Sequence, residues 1–100
     1  MKLYRHGDVL IAPVADVPKG AKPRDGLVLA RGEVTGHAHR VEASGKAELF
    51  EHDDQLFLRV IGSPASVVHE EHRAIQLQPG VYRVWRQREY DPRQDIPVGD

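Results

Sequence analysis

Apolar and polar residues alternate with a period of two over several short stretches of the chain. In the clearest stretch, 55–61, every second position carries leucine or valine, so these side chains share one face of an extended strand. A second such run at 47–52 precedes it, and His52, Asp53 and Asp54 lie around the junction. This pattern predicts a β-hairpin that turns at these polar residues.

Further short runs rich in β-branched residues predict additional strands, each bounded by glycine, proline or charged residues. These runs lie at 9–14, 27–30, 37–41, 65–68, 74–77 and 81–86. The intervening stretch 15–26 contains two prolines, two glycines and no hydrophobic period, so it is predicted to be a long loop. About seven or eight short strands without a helical period predict an all-β fold, either a small barrel or a sandwich.

The composition adds limits to this picture. A length of 100 residues suits one domain, which we place at 1–90, followed by a C-terminal tail at 91–100. The chain has no cysteine, which excludes disulfides and thiolate metal ligands, and its net charge of −1 offers no general attraction for nucleic acid. It has no apolar run of membrane-spanning length, and charges interrupt its first residues. We therefore expect a soluble cytoplasmic protein without a membrane partner.

Histidine is the residue type that suggests chemistry. The chain contains six histidines, of which four form two clusters, His37 with His39 and His69 with His72. Residues two apart on a strand project from the same face, and neutral imidazole nitrogens bind divalent transition metals. We predict a site for zinc, iron, manganese or nickel with ligands from both clusters, and Glu42 as a nearby carboxylate ligand.

The spacing of the second cluster restricts its local structure. His69 and His72 lie three residues apart, which puts them on one side of a helical turn or a tight bend but not of a flat strand. Glu70 and Glu71 between them are candidate general bases beside a metal. The two remaining histidines, His6 and His52, stand alone in the sequence and are expected to be ordinary surface residues.

Metal-free acid–base catalysis is another hypothesis. Two histidines can act as base and acid near neutral pH, and an arginine can stabilise a phosphate-like transition state. The arginines considered for this role are Arg40, Arg73, Arg86 and Arg88. Such a set would suit cleavage of RNA or of a cyclic nucleotide through a 2′-hydroxyl. Across the metal-based and metal-free hypotheses, the catalytic candidates are Glu71 and Arg86. The same residues would also suit a solvated charged face.

The stretch 83–90 suggests a binding surface instead of chemistry. Its arginines alternate with aromatic residues, as in surfaces that stack bases and hold phosphates. The residues proposed to contact a protein or nucleic-acid partner are Trp85, Arg86, Arg88 and Tyr90. The alternative is an edge strand that its charges keep from aggregating. A non-catalytic binding module, such as a phage structural or accessory protein, therefore competes with a metal-binding domain that serves as a small hydrolase or accessory protein. A homo-oligomer is a separate expectation.

The sequence also resembles known families. The segments 32–40, 69–72 and 79–90 resemble a family of small uncharacterised bacterial and phage proteins that has no established activity. That resemblance implies a bacterial or phage source and transfers no catalytic role. The segment from Gly36 to Glu42 resembles the first metal motif of the cupins, which are small β-barrels, although Glu42 follows His39 more closely than in that family. The segments 8–14 and 27–34 resemble the beginning of the ten-kilodalton co-chaperonin barrel.

Overall fold

A computed structural model of the chain describes residues 2–31 and 36–87. Within these ranges the backbone forms ten strands and no helix, and every strand pair is antiparallel. The strands are β1 (Tyr4–His6), β2 (Val9–Val14), β3 (Lys22–Arg24), β4 (Val28–Arg31), β5 (Ala38–Ala43), β6 (Lys46–His52), β7 (Gln55–Ile61), β8 (Ala65–His69), β9 (His72–Leu77) and β10 (Gly80–Arg86).

The strands form two sheets. The six-stranded sheet has the order β1-β2-β10-β7-β6-β3, and the four-stranded sheet has the order β4-β5-β8-β9. Ile11 and Leu58 of the first sheet join Val67 and Leu77 of the second in one hydrophobic cluster, and each of the four is fully buried. Burying a side chain of this size contributes about 1.5–3 kcal/mol relative to leaving it exposed. The two sheets therefore pack face to face around a shared core, which confirms the all-β prediction.

The predicted hairpin at 47–61 is present. Strands β6 and β7 pair in register as far as His52 and Gln55, and only Asp53 and Asp54 lie between them. Both aspartates have positive φ, 51° and 64°, which matches the two-residue turn whose twist suits antiparallel strands. Aspartate tolerates this left-handed conformation better than most residues.

Two strands were not predicted from the sequence. Strand β3 lies inside the stretch expected to be a loop, and it pairs with β6 at the edge of the six-stranded sheet. Its residues, Lys22, Pro23 and Arg24, are all exposed, so they show no hydrophobic alternation. Strand β1 has only three residues, too few to show a period. The predicted tail at 91–100 lies outside the described residues, and the domain boundary at 90 stays a prediction.

At one end of the molecule the apolar interior is replaced by histidines. Strand β1 ends at His6, β8 ends at His69, and β9 begins at His72. His39, near the start of β5, is 2% exposed, and so is His6. Where the structure describes the chain, no helix has the length and apolar character to cross a membrane.

Candidate metal centre

The rings of four histidines meet at this end of the two sheets. His6 comes from the six-stranded sheet, whereas His39, His69 and His72 come from the four-stranded sheet. The six distances between their ring centroids run from 4.4 to 6.5 Å. The two histidine clusters of the sequence therefore do come together through His39, His69 and His72, and His6 joins them.

A hairpin sets the spacing of the second cluster. His69 and His72 are directly paired across the turn that joins β8 to β9, and their ring centroids are 4.7 Å apart. Of the two conformations predicted for this segment, the tight bend is present and the helical turn is not. Direct pairing across an antiparallel turn places both side chains on the same face of the sheet.

Three of these side chains have the spacing of metal ligands. One ring nitrogen from each of His39, His69 and His72 can be chosen so that all three lie within 4.8 Å of one another. A second group with the same property contains His37, His69 and Glu70, so the two groups share His69. The described residues thus provide a three-histidine set and, next to it, a two-histidine set with a carboxylate.

His37 occupies the margin of the cluster. It precedes the first residue of β5, and the only histidine ring described in contact with its own is that of His69, at 5.7 Å. Its Nδ1 lies 3.5 Å from Oε2 of Glu71, although the geometry does not make a hydrogen bond. His37 thus approaches the site from the side of the β8–β9 turn, and its predicted role as a ligand stays a prediction.

His6 is the participant that the sequence did not indicate. The prediction of a surface residue was wrong, because this ring is buried and its Nδ1 lies 2.8 Å from Nδ1 of His39. Two imidazoles can share such a bond only if one nitrogen donates a proton and the other accepts it. The sequence did contain one signal for the position of His6. Gly7 and Asp8 form a turn, and residues on either side of such a turn pair, which places His6 opposite buried Val9.

Burial favours the uncharged form of the two inner rings, those of His6 and His39. It lowers the pKa of His39 to about 4, with repulsion from the other imidazoles adding to the effect. Burial also lowers the pKa of His6, and the backbone of Arg73 acts in the opposite direction. Nε2 of His6 nevertheless makes no regular hydrogen bond among the described residues. His39 is therefore neutral at pH 7, which is the form of imidazole that binds metals.

Asp8 and Arg86 support His39 from outside the cluster. Oδ1 of Asp8 lies 3.5 Å from Nε2 of His39, and its Oδ2 accepts hydrogen bonds from Nη2 and Nε of Arg86 at 3.0 and 3.3 Å. Burial raises the pKa of the Asp8 carboxyl, but the hydrogen bond and charge of Arg86 outweigh it, so the net shift is downward. Arg86, predicted as a catalytic candidate, is thus placed as the partner of Asp8.

The rings pack directly onto the β1–β2 turn. A Cβ atom built on Gly7 would lie 2.7 Å from Nε2 of His72 and 3.0 Å from Cε1 of His39. The φ angle of Gly7 is +63°, a value that disfavours other residues. Glycine is therefore needed at this position for two separate reasons.

Glu70 joins the β8–β9 turn to the start of β5. Its Oε1 accepts a hydrogen bond from the backbone N–H of Ala38 at 3.1 Å, and its Oε2 accepts one from Arg40 at 2.9 Å. The hydrogen bond from Arg40, together with backbone donors, lowers the pKa of Glu70 to about 2. This pair fixes the turn that carries His69 and His72 beside the strand that carries His39.

The other predicted carboxylates have different positions. Glu42 is exposed and pairs with Ser66 in the strand register, and neither candidate ligand group contains it. It follows His39 by three residues, and an odd spacing on a strand reverses the face, so the structure does not support Glu42 as a ligand. Glu71 is exposed, and its backbone N–H donates to Nδ1 of His69 at 2.9 Å.

The proposed partner surface lies on a different part of the six-stranded sheet. Trp85 is half-buried, and the guanidinium of Arg83 stacks over its ring at 4.8 Å. On the same sheet Arg59 stacks over Phe50 at 4.9 Å. Two further residues predicted for this surface, at positions 88 and 90, lie outside the described part of the chain.

Comparison with other proteins adds a family to this description. The family model described as "Domain of unknown function (DUF8820)" matches residues 5–87, a range that includes all six histidines. No curated protein and no solved structure gives a significant match to the chain. Because the model covers most of the 100 residues, the sequence-based expectation of a small uncharacterised family is confirmed. The chain belongs to the DUF8820 family of domains of unknown function.

Proposed function

We propose that this domain binds a divalent transition-metal ion through His39, His69 and His72. The observation that carries the proposal is that a nitrogen of each ring lies within 4.8 Å of the other two. These rings come from three different strands, so local sequence spacing alone does not bring them together. Clustering of several neutral imidazoles at the end of an apolar core is costly unless their lone pairs find partners.

The surroundings of the rings support the same proposal. Histidines that bind a metal usually donate their second ring N–H to a carboxylate or a backbone carbonyl. His39 has such a carboxylate, because Asp8 lies 3.5 Å from its Nε2 and Arg86 holds Asp8 in place. An all-nitrogen donor set without thiolate favours zinc, nickel, cobalt or iron over calcium and magnesium, which prefer oxygen.

Metal content measured on untagged protein tests the proposal. We expect about one zinc, nickel, cobalt or iron per chain after exposure to the ion and gel filtration, and loss of that ion after chelation. The variants H69Q and H72Q are preferred to changes at buried His39, because these rings are more exposed and less needed for folding. Both variants should lose the ion, whereas H52Q, which changes a histidine beside Asp53 outside the cluster, should retain it. Absence of bound metal and of any thermal shift with these ions would contradict the proposal.

A second function rests on the stacked arginines of the six-stranded sheet. A guanidinium over an aromatic ring presents a flat cationic surface, as in proteins that bind single-stranded nucleic acid. Trp85 is the only tryptophan in the chain, so its fluorescence reports directly on this surface. Saturable quenching by a short oligonucleotide, lost in R83Q and unaffected by chelation, would support a binding module. No change in fluorescence would exclude nucleic acid as the partner at this position.

A further inference from the structure

We infer that His6 is a fourth metal ligand and that the centre is a closed four-histidine site. This inference rests on the proposed metal-binding function and adds a ligand to it. His6 comes from the opposite sheet, is 2% exposed and is already in hydrogen-bond contact with His39. Its Nε2 makes no regular hydrogen bond among the described residues, although the backbone of Arg73 is close enough to act on the ring.

The arrangement of the four rings fits one tetrahedral ion. With zinc–nitrogen bonds of about 2.05 Å, the ring centroids of four histidine ligands are separated by about 5.2 Å. The six centroid distances among His6, His39, His69 and His72 lie on both sides of that value, with extremes of 4.4 Å between His39 and His69 and 6.5 Å between His6 and His69. Four rings at such separations need only small adjustments to share one ion.

The contact between His6 and His39 places two ring nitrogens close to the spacing that one ion requires. Their Nδ1 atoms are 2.8 Å apart, which is about half an ångström less than the separation of two nitrogens on one tetrahedral zinc. His6 is not part of the three-nitrogen set of His39, His69 and His72, so its ring would have to move closer to His69, whose centroid is 6.5 Å away, to share one ion with them. Binding of an ion would move the shared proton to Nε2 of the ring that donates it. Both rings would then stay neutral, no net proton would be released, and both Nδ1 lone pairs would be free to point to the metal.

Such a site differs in chemistry from a three-histidine centre. A metal with three protein ligands keeps one position for water or substrate, whereas a metal with four histidine ligands has no open position in tetrahedral geometry. The four-histidine arrangement therefore favours a structural, carrier or metal-sensing role over hydrolysis. The class of ion that it accepts is a tetrahedral, imidazole-preferring cation such as zinc or cobalt(II).

Cobalt(II) titration of H6Q tests the inference, with H52Q as the matched control and H37Q as the test of the alternative fourth ligand. Four-coordinate cobalt absorbs visible light much more strongly than five- or six-coordinate cobalt. A three-histidine ion fills its open side with water, which changes the position and the intensity of the bands, so the spectrum distinguishes four imidazoles from three. We expect H6Q to lose the intense bands and to bind zinc more than 100-fold more weakly, beyond the roughly tenfold to 100-fold effect of losing a ligand's hydrogen-bond partner. H37Q and H52Q should retain the wild-type spectrum. X-ray absorption of the wild-type zinc protein should show four imidazole nitrogens, a result that does not depend on the folding of H6Q.

The possible results separate this inference from the proposed function. If the wild-type protein binds no metal, both are overturned. Binding of one ion with three imidazoles, together with an unchanged spectrum in H6Q, overturns only the role of His6. If H37Q loses the intense bands and H6Q keeps them, the fourth ligand is His37 and the inference is wrong.

Discussion

The carboxylate of Glu70 and the guanidinium of Arg40 form a 2.9 Å hydrogen-bonded ion pair that joins the β8–β9 turn to β5. The same carboxylate also accepts the backbone N–H of Ala38, one residue before His39. The position of the turn histidines relative to His39 thus depends on a pair that is partly exposed to solvent.

Replacing Glu70 by Gln should weaken metal binding without unfolding the protein. The neutral amide loses the charge-assisted bond to Arg40, so the turn becomes less well fixed and His69 and His72 are less well placed for an ion. We expect the zinc affinity to fall by about tenfold, the lower end of the range for groups that orient ligands. Competition with a chromophoric chelator measures the affinity. The control E51Q removes a weaker 3.8 Å pair with Arg24 away from the cluster and should leave the affinity unchanged.

Changing Asp8 to Asn should reduce zinc affinity by roughly tenfold to 100-fold. The carboxylate lies beside Nε2 of His39, and its negative charge favours the tautomer that leaves Nδ1 free for a metal. Calorimetric titration with zinc gives the affinity, and nitrogen-15 spectra of the imidazoles identify the tautomer. An unchanged affinity together with an unchanged His39 tautomer would show that Asp8 serves only to pair with Arg86.

The substitution Gly7→Ala should destabilise the metal-free protein more than Gly26→Ala does. Both glycines have positive φ, +63° and +82°, so both variants carry the backbone penalty of about 1–2 kcal/mol. A Cβ on Gly7 collides with His72 and closely approaches His39, whereas nothing lies within 4 Å of a Cβ on Gly26. The difference in the free energy of unfolding between the two variants, measured in urea, gives the cost of the collision at position 7. Equal losses would mean that the rings move aside at little cost.

Metal binding should change the environment of the Glu71 amide. In the structure this N–H donates to Nδ1 of His69, which therefore carries no proton, so the ring proton is on Nε2. If Nδ1 of His69 binds the ion, the amide loses its acceptor and its proton should exchange faster with solvent. Amide exchange measured by NMR with and without zinc checks this expectation. An unchanged Glu71 amide would mean that His69 binds through Nε2 or not at all.

Stability should decrease at alkaline pH because of Tyr82. Burial, and to a smaller extent Tyr4, raises the pKa of its phenol, whose hydroxyl donates to the backbone carbonyl of Gln78. A folded-state pKa above the unfolded one means that this contribution is complete below about pH 10 and is lost as the pH rises through the folded value. Urea unfolding between about pH 9 and 11 should show a steeper loss for the wild type than for Y82F. Parallel losses in the two proteins would contradict the assignment.

Local patterns in the sequence were sufficient for most of the fold. The hairpin at Asp53 and Asp54 follows from alternation on both sides of two turn-forming residues, and both signals are local. Strand β3 could not be found in this way, because an exposed edge strand of Lys22, Pro23 and Arg24 carries no hydrophobic pattern. Pairing with β6 alone gives it strand geometry.

The site was predictable in part for a related reason. The spacing of His37 with His39 and of His69 with His72 marks histidines that share a face, and three of these four form the candidate ligand set. His6 has no nearby histidine in the sequence, and its position depends on how the three-residue strand β1, at the edge of the six-stranded sheet, lies against the four-stranded sheet. Glu42 shows the reverse case. It is close to His39 in sequence, but it lies on the other face of β5.

The four rings belong to both sheets, with His6 on one and the remaining three on the other. An ion bound by all four would act as a cross-link between the two layers, connecting residues 6 and 72 across most of the described chain. Unfolding would then require release of the ion, so the melting temperature would rise with the free metal concentration. At a metal concentration 100 times the dissociation constant, the free energy of unfolding would increase by about 2.7 kcal/mol. In a cell that limits its metal, the abundance of the folded domain would follow the supply of that ion.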